Sequence, residues 1–305
     1  MAIKVFGHKK PDTDSVVSAI ALAQVLKEMG GDAVPYIQGG SVMPGTKFVL
    51  EKFGLAVPSA LDSVEEGAVA LVDTTNVDEL PAGIEKAVVK YVVDHHPLMG
   101  LRTPVAPEAW ISPVGCTSTV LKLMADYYGV SIPAGVAGAM ACAILDDTVM
   151  FKSPTSTKED REAVEALAKA AGIDWSSVGG EMWRVKTDIS AETVDSLISR
   201  DFKDFEFGGK KFGIGQIEIS DMSQIGPRRA GLVAGVGKLK SDGGYFGVLF
   251  MVTDIMREGT ELLVATDDNA RLGRVFGADF SNGSAWFDGM MSRKKQVVPP
   301  MQEKF

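Results

Sequence analysis

The segment Val5 to Ser15, V-F-G-H-K-K-P-D-T-D-S, sets His8, Asp12 and Asp14 close together around Pro11. An imidazole and two carboxylates this near one another, held off regular helix geometry by a proline, could surround one or two hard divalent cations. The same residues also have a purely structural reading. Asp12-Thr13-Asp14-Ser15 suits a turn and N-cap before the apolar run Val16, Val17, Ala19 and Ile20, because a side-chain oxygen there accepts an orphan backbone N–H. The histidine inventory weighs against capping alone. The chain has three histidines, and the other two, His95 and His96, are adjacent in V-V-D-H-H-P.

Such side chains do chemistry only if the fold brings them together. Residues 2 to 6 read as a strand, Val16 to Met29 as a helix closed by Gly30-Gly31, Val34 to Ile37 as a second strand, and Lys47 to Phe53 as a helix. The unbroken apolar runs Ala68 to Val72 and Val88 to Val93 read as strands that stop at Asp73 and at Asp94-His95-His96, with a helix expected over Val77 to Lys86. Uninterrupted apolar strands alternating with helices indicate a parallel sheet buried on both faces, in which ligands bind beyond the carboxyl ends of the strands. His8, Asp73 and His95 each follow such a strand and should therefore meet at one edge. Thr117 to Tyr128 and Ala134 to Leu145 read as helices, the second ending at Asp146-Asp147-Thr148. Ser156-x-x-Glu159 reads as a capping box before a helix to Ala171, Trp175 to Lys186 as a further helix, and Ile189 to Asp195 as a hinge.

Beyond that hinge the character changes. Phe212 to Ile219, Tyr245 to Thr253 and Glu261 to Thr266 read as strands of a smaller α/β unit with few acidic clusters. Its notable feature is the cationic run Ser292-Arg293-Lys294-Lys295-Gln296, which taken alone is the pattern of a solvated face. On the N-terminal side, His8, Asp12, Asp14, Asp73, His95 and one of Asp146 or Asp147 supply close to the minimum for two divalent ions sharing a ligand, with Asp73 the natural bridge. Nitrogen plus carboxylate ligation favours Mn²⁺, then Co²⁺, over Mg²⁺, and the lack of thiolate argues against structural zinc.

The 305 residues suit two domains, and a composition of 46% hydrophobic and 23% charged residues is that of a soluble globular protein. No apolar stretch approaches the roughly 18 residues of a spanning helix, and the N-terminus lacks signal-peptide character, so a cytoplasmic protein without a membrane partner is expected. Cys116 and Cys142 lack metal-type spacing and read as reduced, packed thiols. A net charge of −9 argues against a nucleic-acid partner, although bound cations would still admit an anionic substrate.

Taken together, H-x-x-x-D-x-D at His8 to Asp14, Asp73, D-H-H at Asp94 to His96, D-D-T at Asp146 to Thr148 and S-R-K-K-Q at Ser292 to Gln296 resemble the DHH phosphoesterase superfamily. Within it, the chain is similar nearly end to end to the family II, manganese-dependent inorganic pyrophosphatases. The S-R-K-K-Q element sets these apart from the superfamily's nucleases, which carry a Gly-rich motif with a histidine near the C-terminus; no histidine follows His96 here.

The resemblance implies a DHH-type metal-binding domain over 1–188, a linker over 189–195 and a DHHA2-like clamping domain over 196–305, with the active site in the cleft between the domains. It implies that His8 and Asp12 hold one Mn²⁺, that Asp14, His95 and Asp147 hold the other, and that Asp73 bridges them. Asp147 is preferred to Asp146 because it directly precedes Thr148 and keeps its distance from F-K-S-P-T. His96 would face substrate, and Lys203, Arg293 and Lys294 would grip its phosphates. Pyrophosphate would arrive with additional Mg²⁺ and be split into two phosphates by a hydroxide shared between the two metals, in a homodimer. The rival readings are a DHH-type exopolyphosphatase, a phosphodiesterase acting on short oligonucleotides, and a non-catalytic metal-binding module.

Overall fold

The computed structural model describes residues 2–64 and 66–305. The chain divides between Lys186 and Thr187 into two compact units.

In the first unit, strands β1 (Ile3–Phe6), β2 (Ala33–Ile37) and β3 (Ser59–Ala60) alternate with helices α1 (Thr13–Glu28) and α2 (Pro44–Lys52); strands β4 (Ala68–Val72), β5 (Val88–Asp94) and β6 (Glu108–Ile111) then follow one another, and helices α3 (Thr117–Tyr128), α4 (Ala134–Asp147), α5 (Lys158–Ala171) and α6 (Trp175–Lys186) close the unit. The strands pair in the order β3-β2-β1-β4-β5-β6, all parallel. Val69 to Val72 are all buried, as expected for a sheet covered on both faces. Helix α4 is buried continuously from Val136 to Asp146, whereas α5 buries only Ala163, Val164, Leu167 and Ala168 beyond its first turn. That second spacing marks a helix with one face in water. Strand order reverses between β1 and β4, which opens a crevice above their carboxyl ends.

Three local expectations are corrected. Val77 to Lys86 forms two separate 3-10 turns, Val77–Glu79 and Ile84–Lys86. Pro81 lies between them and removes a donor, and Gly83 adopts φ +85°, so no continuous helix can form. The cap of α5 is one residue later than expected: Thr157 and Asp160 bond reciprocally. Asp160 is fully buried and also accepts from Gly115 N and Thr119 Oγ1, so distant contacts choose the register. Strands β3 and β6 were not anticipated, being short segments at the two sheet edges.

The second unit holds α7 (Val194–Ser199), β7 (Phe202–Phe207), β8 (Lys210–Ile219), α8 (Arg229–Asp242), β9 (Gly247–Asp254), β10 (Gly259–Thr266), α9 (Asn269–Phe276), β11 (Ser284–Asp288) and α10 (Val298–Lys304). Its sheet runs β11-β10-β9-β8-β7, parallel only between β8 and β9. Alternate residues of β9 feed two cores: Leu249 and Met251 join Phe212, Leu262 and Met301, while Val248, Phe250 and Val252 join Ile217 and Leu232. Ile189 is buried in the latter core with Leu197 and Ile198. The α/β class, with a parallel-sheet N-terminal domain and a smaller second sheet domain, is as expected. Among the described residues no helix is long and apolar enough to cross a membrane.

Candidate metal centre

His8 and Asp73 leave β1 and β4, the strands that flank the reversal, and His95 leaves the neighbouring β5. Gly7 permits the first turn: a Cβ there would lie 2.0 Å from Ser15 Oγ and 3.1 Å from the carbonyl of Val72. His8 Nδ1 donates to its neighbour's carbonyl, Lys9 O, at 2.7 Å, which turns Nε2 toward Asp73 Oδ2 at 3.2 Å and Asp12 Oδ1 at 3.6 Å. Burial alone would lower the His8 pKa, but hydrogen bonds to Asp12 and Asp73 prevail and push it up to about 11. Asp12 caps α1 by accepting Ser15 N at 2.9 Å, so the capping role and the proximity to His8 coexist. Asp14 is fully buried and accepts from Ser18 Oγ, Ser118 N and Oγ, and Thr117 N. It lies in the first turn of α1 and against the first turn of α3, where helix dipoles favour negative charge. Burial would raise its pKa, but the His95 charge and these bonds hold it below the usual carboxylate range.

Asp73 is 2% exposed and takes a left-handed backbone, φ +59°, a conformation that Asp tolerates better than most residues. Its Oδ1 accepts from Thr117 Oγ1 at 3.0 Å and stands 3.5 Å from His95 Nε2, while Oδ2 faces His8. Burial and the neighbouring Asp14 charge raise its pKa. His95 Nδ1 donates to Val114 O at 3.0 Å, so its Nε2, like that of His8, points into the cluster; such a backbone bond fixes the tautomer of a metal-ligating histidine. Asp94 is fully buried and binds the next two residues, with Oδ1 accepting from His95 N, His96 N and His96 Nδ1. The His96 ring is half exposed, with its Nδ1 committed to Asp94.

Asp146 and Asp147 separate cleanly. Asp146 accepts from Thr13 Oγ1 at 2.7 Å and pairs with Lys186 Nζ, whereas Asp147 Oδ2 stands 4.0 Å from His95 Nε2. Burial, then the charges of Asp14, Asp12, Asp73 and Asp146, push the Asp147 pKa well above the usual range. Cys116, expected to be an inert packed thiol, is free and buried, yet lies with Asp14 and Asp147 so that one donor atom from each falls within 4.8 Å of the others. The sets His8, Asp12, Asp73 and Asp73, His95, His96 meet the same limit and share Asp73. Two carboxylates about 4 Å apart repel by about 4 kcal/mol at an effective dielectric of 20. Four of them facing inward Nε2 atoms make a donor set that fits two divalent cations. Beside it opens a cleft of about 340 Å³ lined by His8, Asp12, Asp73, Asn76, Glu79 and His96.

The N-terminal domain of the DHH family matches residues 2–144, and the DHHA2 domain matches residues 180–304. A probable manganese-dependent inorganic pyrophosphatase of Archaeoglobus fulgidus is 45% identical, over 99% of this chain and 98% of its own. The chain belongs to the manganese-dependent inorganic pyrophosphatase family. Family relatives from Methanothrix thermoacetophila and Methanocaldococcus jannaschii, both named manganese-dependent inorganic pyrophosphatase, are 38% and 35% identical over the same shares. A Methanococcus jannaschii crystal structure assigned to family II inorganic pyrophosphatase superposes with a TM-score of 0.60 at 35% identity, covering 99% of both chains. An exopolyphosphatase-related protein of Bacteroides fragilis shares the fold at 12% identity, with a TM-score of 0.51 over 97% of this chain and 89% of its own.

In this pyrophosphatase-family chain the three cationic candidates lie in the second unit. Lys203 is exposed on the edge strand β7, and Lys294 is exposed in the π-helical turn Arg293–Val297. Arg293 is 9% exposed, and its guanidinium is engaged by Asp201 and by the carbonyl of Ile214. The ends of the S-R-K-K-Q run shape the turn. Ser292 caps it, and Gln296 accepts from Met291 N and Ser292 N while donating to Gly289 O. Reading the sequence left Asp94, Cys116, Asp160, Thr117 and the Val114 carbonyl without roles. The D-H-H spelling pointed to Asp94, but no residue type announces a carbonyl.

Proposed function

We propose that the protein hydrolyses inorganic pyrophosphate to two phosphates, with two Mn²⁺ bound by His8, Asp12, Asp14, Asp73, His95 and Asp147, Asp73 shared between them. The observation that carries this reading is the pair of histidines whose Nε2 atoms turn toward one buried carboxylate at the strand-order reversal. Divalent cations held by these residues would neutralise phosphate charge and lower the pKa of a bound water. Mn²⁺ is the proposed metal, Co²⁺ a competent replacement, and Mg²⁺ a companion of the substrate.

The chain's own residues supply positioning and screening. Asp14 and Asp73 are held rigid by donors from α3, so the donor set need not reorganise around its ions. Lys203, Arg293 and Lys294 are proposed to engage the phosphates, Arg293 as a planar fork and the lysines as point charges. Phosphate release from pyrophosphate, tripolyphosphate and a dinucleotide, each with Mn²⁺ and with Mg²⁺ alone, tests the assignment. Fastest release from pyrophosphate with Mn²⁺ is expected. Preference for tripolyphosphate would favour an exopolyphosphatase, and preference for the dinucleotide a phosphodiesterase.

His96 is proposed to donate to a substrate oxygen through Nε2, since Nδ1 is committed to Asp94. In His96→Gln the bound Mn²⁺ should stay at its normal level while kcat falls by about 10²–10⁴-fold, the usual scale for an acid–base group. Loss of one metal equivalent would show instead that His96 is a ligand.

The same reading places the enzyme in the cytoplasm, where its free thiols Cys116 and Cys142 stay reduced, without nucleic-acid or membrane partners. A homodimer belongs to the proposal as well. Light scattering should give twice the chain mass of 32.4 kDa; a single-chain mass would remove it.

A further inference from the structure

We infer that Asp201 is a positioning residue of the phosphate clamp, its main-chain and side-chain oxygens together fixing the Arg293 guanidinium so that two N–H groups are left for a phosphate. The inference rests on the proposed role of Arg293.

A guanidinium carries five N–H donors in a fixed plane. Arg293 spends three of them. Nη1 donates to Asp201 O at 2.7 Å and Ile214 O at 3.1 Å, and Nη2 donates to Asp201 Oδ1 at 2.7 Å. Among the described residues nothing accepts from Nε–H or the second Nη2–H, and these are donors that a phosphate or carboxylate can take together from one side of the group.

The anchor is itself rigid. Asp201 O also accepts Gln216 N at 3.1 Å, which extends the β7–β8 ladder by one step beyond Phe202↔Gly215. Ile214, the second anchor, is the register partner of Lys203. One short piece of ladder therefore sets both the arginine and the proposed lysine. Swinging Arg293 away would strip donors from buried main-chain acceptors and unpair an almost buried charge, so the side chain is held in place and not free to wander. The Asp201 side chain is 46% exposed, and removing its carboxylate should leave the fold standing. What it should release is the Nη2 end of the guanidinium plane.

Four variants test the inference: Asp201→Ala, Asp201→Asn, Arg293→Ala and the Asp201→Ala/Arg293→Ala pair, each assayed for pyrophosphate kcat and KM, bound Mn²⁺ and thermal midpoint. Arg293→Ala should lose about 10- to 100-fold in kcat/KM, the scale of charge-assisted phosphate contacts. Asp201→Ala should lose at least about tenfold with normal Mn²⁺, while Asp201→Asn, which keeps an acceptor oxygen, should recover to within about threefold of the parent. The pair should be no worse than Arg293→Ala alone, because Asp201 acts only through the arginine. Near-normal kcat/KM in Asp201→Ala beside an impaired Arg293→Ala overturns the inference and spares the clamp, as do losses that multiply in the pair. A normal Arg293→Ala removes the clamp reading itself.

Discussion

Asp73→Ala should fold, lose pyrophosphate hydrolysis by at least about 10³-fold, and bind less Mn²⁺ than any variant lacking a ligand to one ion only. The size follows from position. Asp73 is almost fully buried between His8 Nε2 on one oxygen and His95 Nε2 on the other, whereas among the described residues Asp12 pairs with His8 and Asp147 with His95. Losing one preorganised electrostatic group typically costs 10²–10³-fold, and a shared ligand should exceed that range because both ions are affected. Alanine also tolerates the left-handed φ of +59° less well than aspartate, so Asp73→Asn is the control that keeps the backbone preference and one oxygen. Elemental analysis of folded protein decides the matter. A normal Mn²⁺ content in both variants would mean that Asp73 is not a bridge.

The second large effect divides two adjacent residues. Asp147→Asn should abolish nearly all turnover, by about 10³-fold, whereas Asp146→Asn should keep most of it and lose stability instead. Asp147 faces His95, while Asp146 accepts from Thr13 and pairs with Lys186. The amide in Asp146→Asn would leave the Lys186 ammonium without its charged partner. Lys186 is 41% exposed, so water screens part of that loss. Turnover and thermal midpoint measured side by side separate the outcomes: a dead Asp146→Asn with an active Asp147→Asn would show that the ligand is one residue earlier.

Much of this site was legible because its chemistry is written in residue type. Histidines and acids at the ends of unbroken apolar runs implied a parallel sheet, and the sheet implied a shared edge; β1, β4 and β5 are indeed neighbours. The S-R-K-K-Q run likewise stood out by composition, although neither its reading as a solvated face nor the resemblance anticipated that Arg293 would be held by Asp201.

What the amino-acid sequence determined by itself is thus the set of donors and the strand ends that carry them, since side-chain chemistry and apolar periodicity are local properties of the chain. Tertiary structure decided the rest. Which of Asp146 and Asp147 faces the cluster depends on how α4 is rotated, because adjacent helical residues point about 100° apart. The inward Nε2 atoms depend on the carbonyls of Lys9 and Val114, and every residue but none in particular offers a carbonyl. The left-handed backbones at Asp73 and at Val149, Met150 and Phe151 contain no glycine to betray them. Such conformations persist only where surrounding contacts over-determine the chain, and those contacts come from segments far away in the sequence.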